Sequence, residues 1–154
     1  MAKTERAENA AHLFQGGLNC SQAILSVFGE PYGLDQQTAE ELGRPLGGGL
    51  GRMGLTCGAL TGAILVLGLA ERKAQNETEA RNNVARSVQE LVGRFEDCHG
   101  SSLCKVLLGA DMSTAAGMKK IKEENMVAQI CPGLVRDAAE ILAEILERSL
   151  LSSD

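Results

Sequence analysis

The sequence predicts an all-α fold, a compact multi-helix bundle around a central glycine-rich apolar helix. Helical spacing of apolar residues recurs along the chain, whereas no strand-like alternation of useful length occurs. The chain has 154 residues and is 44% hydrophobic, which suits one domain with a buried core of its own. No linker, repeat or low-complexity block interrupts it. We therefore expect a single helical domain over residues 1–154.

Residues that begin or end helices define the first three elements. A helix from Thr4 to Gln15 ends at two glycines, and the next begins at Asn19, with Gln22 as its capping-box partner. This second helix ends near Phe28, before a proline. A short acidic helix then runs from Asp35 to about Leu42.

The central helix is expected in the uncharged segment from Met53 to Ala70, which follows the glycine-rich loop Gly47 to Gly51. Its residues Gly54, Gly58 and Gly62 would form a smooth face for close approach of a neighbouring helix. The segment reaches the lower limit for a membrane span, about 18 residues. Because no basic cluster or aromatic belt flanks it, we expect no stable membrane insertion.

Three further helices follow before the last one. The helix from Glu77 to Phe95 carries one apolar stripe. A short helix capped by Ser101-Ser102 runs through Leu108, and an exposed helix rich in lysine and glutamate covers Thr114 to Val127. The apolar stripe of the long helix consists of Val84, Val88, Leu91, Val92 and Phe95.

The last helix is predicted to begin at Pro132, because proline is favoured at the first helical position. Its tail, Ser152 to Asp154, is expected to be loose. The inner face of this helix consists of Leu134, Ala138, Ile141, Ile145 and Leu146.

Composition excludes several function classes. The net charge of −5 and the pI near 5.1 argue against a nucleic-acid partner, because phosphate binding needs clustered lysine and arginine. Aromatic residues make up only 3%, which removes base-stacking platforms. The N-terminal segment MAKTERAENA is charged and lacks an apolar stretch, so we expect no secretory signal and a cytoplasmic protein.

Two segments resemble cofactor-binding motifs, but the residues around them do not support either function. The residues from Gly49 to Gly54 fit G-x-G-x-x-G, but no buried strand precedes them, so we expect no NAD binding. Phe95 stands where the C-x-x-C-H pattern needs its first cysteine, so we expect no covalent haem. Cys98 is then interpreted as a partly buried helix-end thiol, and His12 and His99 as surface or cap residues.

The cysteines are the most informative residues, and four of the five share a position. Cys20 follows the cap of the second helix, Cys104 lies in the first turn after Ser101-Ser102, and Cys131 precedes Pro132. Cys57 follows Thr56, which is either a cap or part of a longer helix. Unpaired N–H groups and the helix dipole favour a thiolate at a helix start, and a low thiol pKa makes a better nucleophile and metal ligand.

Taken singly, each of these cysteines is also explained as a buried structural thiol. No C-x-x-C pair occurs, and the four are far apart in sequence, unlike the closely spaced ligands of structural zinc sites. A shared site would therefore have to be assembled from four separate helices. Several thiolates in one place would need a cation, or oxidation, to offset their repulsion.

Several segments, in this order, resemble the family of redox-active proteins named for the C_GCAxxG_C_C cysteine pattern, and the resemblance covers nearly the whole chain. They are Asn19-Cys20-Ser21-Gln22-Ala23, Cys57-Gly58-Ala59-Leu60-Thr61-Gly62-Ala63, Phe95 through Cys104, Leu107-Leu108-Gly109 and Cys131 with its helix. The resemblance implies a small helical protein with Cys20, Cys57, Cys104 and Cys131 as its characteristic residues. Gly58 and Gly62 are expected to contribute to the cofactor site. Split-Soret cytochromes are similar in this region and are thought to hold an iron–sulfur cluster there.

We therefore expect a redox protein, either an oxidoreductase or an electron carrier, whose four cysteines converge. They would ligate an iron–sulfur cluster or another metal, or cycle between dithiol and disulfide. Four helix-terminal thiolates favour the metal form. The alternative is a helical interaction module in which the cysteines are core residues and the small-residue face serves packing or a homodimer. The sequence names neither a redox partner nor a substrate.

Overall fold

The computed structural model describes residues 2–151, and the chain there is helical without any β-strand. Two short 3₁₀ turns lie at Glu30–Tyr32 and Arg44–Leu46. The α-helices of the described range are α1 (Lys3–Gln15), α2 (Cys20–Phe28), α3 (Gln36–Gly43), α4 (Gly58–Ala70), α5 (Glu77–His99), α6 (Cys104–Leu108), α7 (Ala115–Glu123) and α8 (Met126–Leu151). The all-α prediction is confirmed. The predicted loose tail from Ser152 to Asp154 lies outside the described residues.

The core forms where α1, α2, α4, α5 and α8 pack against one another. Leu60 of α4, Phe28 of α2 and Phe95 of α5 are fully buried there. Each such side chain contributes about 1.5–3 kcal/mol by leaving water. The predicted inner face of the last helix, from Leu134 to Leu146, is buried as expected. The central position of the apolar helix is likewise confirmed.

The start of α2 has the capping box that the sequence predicts. The side-chain oxygen of Asn19 accepts from the N–H of Gln22, and the Asn19 N–H donates to Gln22 Oε1, both at 2.9 Å. The Asn19 amide also donates to the carbonyl of Gly43 at 3.1 Å. Asn19 therefore fixes the first turn of α2 to the end of α3.

The central helix is shorter than predicted, because α4 begins at Gly58 and the preceding residues form a loop. The residues with left-handed φ in this loop are Gly48, Gly49, Leu50, Gly51, Arg52 and Gly54. A right-handed helix does not accommodate such residues, so the prediction that Gly54 shares a face with Gly58 and Gly62 is wrong. Those two do lie against α2, since a Cβ on Gly62 would be 3.0 Å from the Cα of Ser21.

The last helix begins at Met126, so the start predicted at Pro132 is wrong. Asn125, with a φ of 52°, separates α7 from α8, and the predicted helix from Thr114 to Val127 is therefore two elements. Pro132 lies inside α8, where its missing N–H removes the hydrogen bond to the carbonyl of Ala128 and its ring crowds that carbonyl. The helix α5 is one turn longer than predicted.

Within residues 2–151, the helices lack the combination of length and apolar character that crossing a membrane requires.

Candidate functional site

The structure brings four of the five cysteines to one pocket of about 970 Å³. Each comes from a different helix or helix start, as a shared site requires of cysteines that are far apart in sequence. Their thiols are close enough that the neighbouring thiols raise the pKa values of Cys20 and Cys104. The four cysteines among its lining residues are Cys20, Cys57, Cys104 and Cys131.

A short antiparallel bridge between Thr56 and Leu103 positions two of these cysteines. The N–H of Cys57 donates to the carbonyl of Ser102 at 2.8 Å, and the N–H of Cys104 donates to the carbonyl of Leu55 at 2.6 Å. The starts of α4 and α6 are thereby held side by side. The N-cap of α6 is Leu103 rather than the predicted serine pair.

The other two cysteines lie close to each other. Cys20 is the first residue of α2, and Cys131 lies in the second turn of α8. Their thiols are close enough for each to shift the pKa of the other. Cys131 is buried and Cys20 is half-buried, and both line the pocket. The predicted N-cap position of Cys131 is wrong because α8 starts earlier.

The sequence predicts that helix starts lower the thiol pKa values, but the pKa values of Cys57 and Cys104 are raised. Burial raises the pKa of Cys57 to about 11, although the N–H groups of Ala59 and Leu60 act in the opposite direction. Burial, followed by the nearby thiols of Cys57 and Cys131, raises the pKa of Cys104 to about 12. Desolvation therefore outweighs the helix terminus at both positions.

The pKa values of Cys20 and Cys131 shift in opposite directions. The pKa of Cys20 is raised well above its usual range by the neighbouring thiol of Cys131, by burial and by the other two pocket thiols. The pKa of Cys131 is lowered because Cys20 stabilises its thiolate. The favoured thiolate therefore belongs to a residue inside a helix, which sequence position alone does not reveal.

Glycines allow the chain to pass close to the cysteines. A Cβ on Gly49, which has a φ of 72°, would lie 2.7 Å from the Cβ of Cys104 and 2.6 Å from the nitrogen of Leu55. A Cβ on Gly58 would lie 3.2 Å from the Cβ of Cys20, and Gly58 lines the pocket. Gly62, expected at the cofactor site, lies one turn further along, against Ser21.

Two arginines that no sequence motif singles out lie at the pocket. Arg44 and Arg52 line it on either side of the glycine loop, and both are exposed. Among the described lining residues they are the charged ones. Their signal in the sequence is only that they flank Gly47 to Gly51, which does not show where the side chains lie.

Cys98 and the histidines lie apart from this arrangement. Cys98 is exposed on α5, not partly buried as expected. The Nε2 atom of His99 lies 2.9 Å from a carboxylate oxygen of Asp137, and its ring packs against the ring of Phe95 at an angle of 44°. His12 is exposed on α1. His99 therefore joins the end of α5 to α8.

A site for a single metal ion is not preformed. In the described part of the chain, no group of three or more histidine, cysteine, aspartate or glutamate side chains has the arrangement to hold an ion. Tetrahedral zinc would need its ligand sulfurs roughly 4 Å apart, since each bond is about 2.3 Å. All five cysteines are free thiols. The four pocket thiols therefore do not fit a lone zinc ion as they stand.

Comparison with known proteins identifies the family. Residues 18–145 match the sequence model of a family described as "Putative redox-active protein (C_GCAxxG_C_C)". Neither a curated protein nor a solved structure matches the chain. The matched range runs from just before α2 into α8, and it includes all four pocket cysteines. The chain therefore belongs to the C_GCAxxG_C_C family.

Proposed function

We propose that this is a redox protein that works through its pocket cysteines, with Cys20 and Cys131 as a reversible dithiol–disulfide pair. The observation that supports this most directly is that the two thiols line the same pocket and lie close enough to shift each other's pKa. Neighbouring thiols on one pocket can approach each other to form a disulfide. Membership of a redox-active family supports the same class of chemistry.

The unequal thiol pKa values give the pair two roles. Cys131 supplies the thiolate that attacks an incoming disulfide, because its pKa is lowered. The attack forms a mixed disulfide and releases one thiolate from the substrate. Cys20 then loses its proton, attacks the sulfur of Cys131 and releases the second thiolate. Two electrons pass to the substrate, and a Cys20–Cys131 disulfide remains.

Cys57 and Cys104 differ from the pair in this scheme. Their pKa values of about 11 and about 12 keep them protonated near neutral pH, so they do not compete as nucleophiles. Because the thiols of Cys57 and Cys104 are neutral, they do not repel the Cys131 thiolate. A thiolate at Cys57 or Cys104 would repel it.

A second candidate is an iron–sulfur cluster, favoured by the position of all four cysteines on one pocket. A cluster places its cysteines around several iron atoms, so they lie farther apart than the ligands of a single ion. Cys20, Cys57, Cys104 and Cys131 would hold it, and it would supply electron transfer. The raised thiol pKa values mean that protons must leave on binding, so binding should strengthen with rising pH.

The test begins with anaerobic purification, absorbance spectra and iron analysis. For the dithiol proposal, iron-free protein should show a reversible two-electron couple, with a Cys20–Cys131 disulfide found by mass spectrometry after oxidation. The substitutions Cys20→Ser and Cys131→Ser should abolish the couple, and the matched control Cys98→Ser should retain it.

Other outcomes decide between the candidates. Stoichiometric iron that is lost in each of the four pocket Cys→Ser variants supports the cluster and contradicts the dithiol proposal. If the protein shows neither bound iron nor a reversible couple, the helical interaction module is the better explanation. Folding of each variant is checked by circular dichroism.

A further inference from the structure

The pocket has a charge opposite to that of the chain. The chain carries a net charge of −5, yet the charged side chains among the described pocket lining are Arg44 and Arg52. An opposing group outside the lining is Asp111, whose charge raises the pKa of Cys104. Its carboxylate accepts from the N–H and hydroxyl of Ser113 at 2.9 Å and 2.6 Å. The pocket mouth is therefore a cationic region on an acidic protein.

The two arginines are held on an ordered loop. The N–H of Gly51 donates to the carbonyl of Pro45 at 2.8 Å, and the N–H of Arg52 donates to the carbonyl of Gly47 at 3.0 Å. The carbonyl of Arg44 accepts from the side-chain amide of Asn19 at 3.3 Å. Since Asn19 caps the helix that begins with Cys20, the backbone at Arg44 is tied to one of the proposed redox cysteines.

The rest of the pocket suits a small molecule. Its volume of about 970 Å³ is at the upper end for small-ligand sites, about 300–1,000 Å³. Apolar side chains such as Leu107, Met112 and Val127 line it together with the cysteines. Arginine binds carboxylates through paired, charge-assisted hydrogen bonds. Cations at the rim and thiols on the same pocket together select a ligand with both carboxylate and sulfur.

We propose that the pocket binds a small carboxylate-bearing disulfide, with its carboxylates at Arg44 and Arg52 and its sulfurs facing Cys20 and Cys131. This inference rests on the proposed dithiol function. The thiolate of Cys131 attacks one ligand sulfur, and the ligand S–S bond breaks to release a carboxylate-bearing thiolate. Cys20 then gives its proton to solvent, attacks Cys131 and releases the second thiolate. The ligand is reduced by two electrons, and the protein dithiol is oxidised to its disulfide.

The test uses three disulfides of similar size and different charge. The reduced, iron-free full chain reacts with anionic dithiodiglycolate, neutral hydroxyethyl disulfide and cationic cystamine at low salt. The double variant Arg44→Gln/Arg52→Gln, and each single variant, are compared with the wild type for every probe. Arg81→Gln is the matched control, because Arg81 is an exposed arginine on α5 that pairs with Glu77.

We expect the double variant to react with dithiodiglycolate about tenfold more slowly, the scale of electrostatic attraction at a charged cleft. Its rate with hydroxyethyl disulfide should be unchanged, its rate with cystamine unchanged or higher, and Arg81→Gln should have no effect. Salt should erase the difference. Rates that change equally for all three probes, or for none, would overturn this inference and leave the dithiol function intact. A wild-type protein whose cysteine pair reacts with none of the probes would overturn both.

Discussion

The cysteine pocket and the helical core are ordered by different means. In the core, α1, α4 and α8 pack through fully buried apolar side chains such as Leu142. At the pocket, backbone hydrogen bonds of non-helical segments hold the parts together, as in the bridge between Thr56 and Leu103. The core tolerates changes that preserve apolar volume, whereas the pocket depends on backbone conformation at individual residues.

The two regions also differ in how they use charge. The outer face of α5 and α8 carries exposed ion pairs, including Arg148 with Glu90 and Arg94 with Glu144. The pocket instead buries ionisable thiols beside two arginines that line its rim. Exposed pairs contribute little to stability. The thiols lose solvation, which changes their chemistry more than it changes the fold.

The largest expected loss of stability comes from the core. Leu142→Ala removes a fully buried side chain from α8, and we expect the free energy of unfolding to fall by about 3 kcal/mol. Urea denaturation measures it, with exposed Leu150→Ala as the matched control. Folded Leu142→Ala should keep the alkylation rates of the pocket thiols. If the alkylation rates of the pocket thiols also change in the folded Leu142→Ala variant, the core and the pocket are not independently ordered.

Gly49→Ala should be the second-largest change, and it should alter the pocket. The new Cβ would lie 2.6 Å from the nitrogen of Leu55 at a left-handed φ, which costs about 2 kcal/mol. Because Gly49 lies against Cys104, we also expect altered alkylation of that thiol. The control is Gly93→Ala at an exposed position of α5, where a Cβ meets nothing within 4 Å and alanine favours the helix. Equal stability of the two variants would show that the loop relaxes freely.

Asn19→Ala should cost about 1 kcal/mol by removing the cap of α2. It also removes the amide that binds the carbonyls of Gly43 and Arg44. We therefore expect Cys20 to react faster with iodoacetamide, because the first turn of α2 loosens. Asp35→Ala removes the cap of α3 and is the control, since it should leave the rate at Cys20 unchanged. Equal effects of both variants on that rate would contradict the link between cap and pocket.

The sequence predicts features that depend on local pattern. The capping box of Asn19 and Gln22 and the buried face of α8 follow from spacing alone, and both are present. Helix boundaries near Pro132 are wrong because Asn125 adopts a left-handed conformation that ends α7 early. Asparagine adopts this conformation more readily than most residues, but the sequence alone does not show which asparagine does so.

The chemistry of the candidate site is less accessible from sequence. The four cysteines are identified by their resemblance to a family, and the structure places them on one pocket. The sign of each pKa shift depends on burial and on neighbours from other helices, so the expectation for Cys57 and Cys104 fails. Arg44 and Arg52 are recognisable only once the loop between them is folded.

The smallest expected effect lies in the ion pairs of the outer face. Lys3 and Arg94 hold the pKa of Glu144 below its usual range, so this carboxylate stabilises the folded state above the ordinary glutamate pKa. The contribution should disappear as the pH falls through the lowered pKa. Because Glu144 is partly exposed, we expect less than about 1 kcal/mol. Urea denaturation at neutral and acidic pH should show Glu144→Gln destabilised only at neutral pH, with exposed Glu96→Gln as control. A loss that persists in acid would mean that Glu144 stabilises α8 by packing rather than by charge.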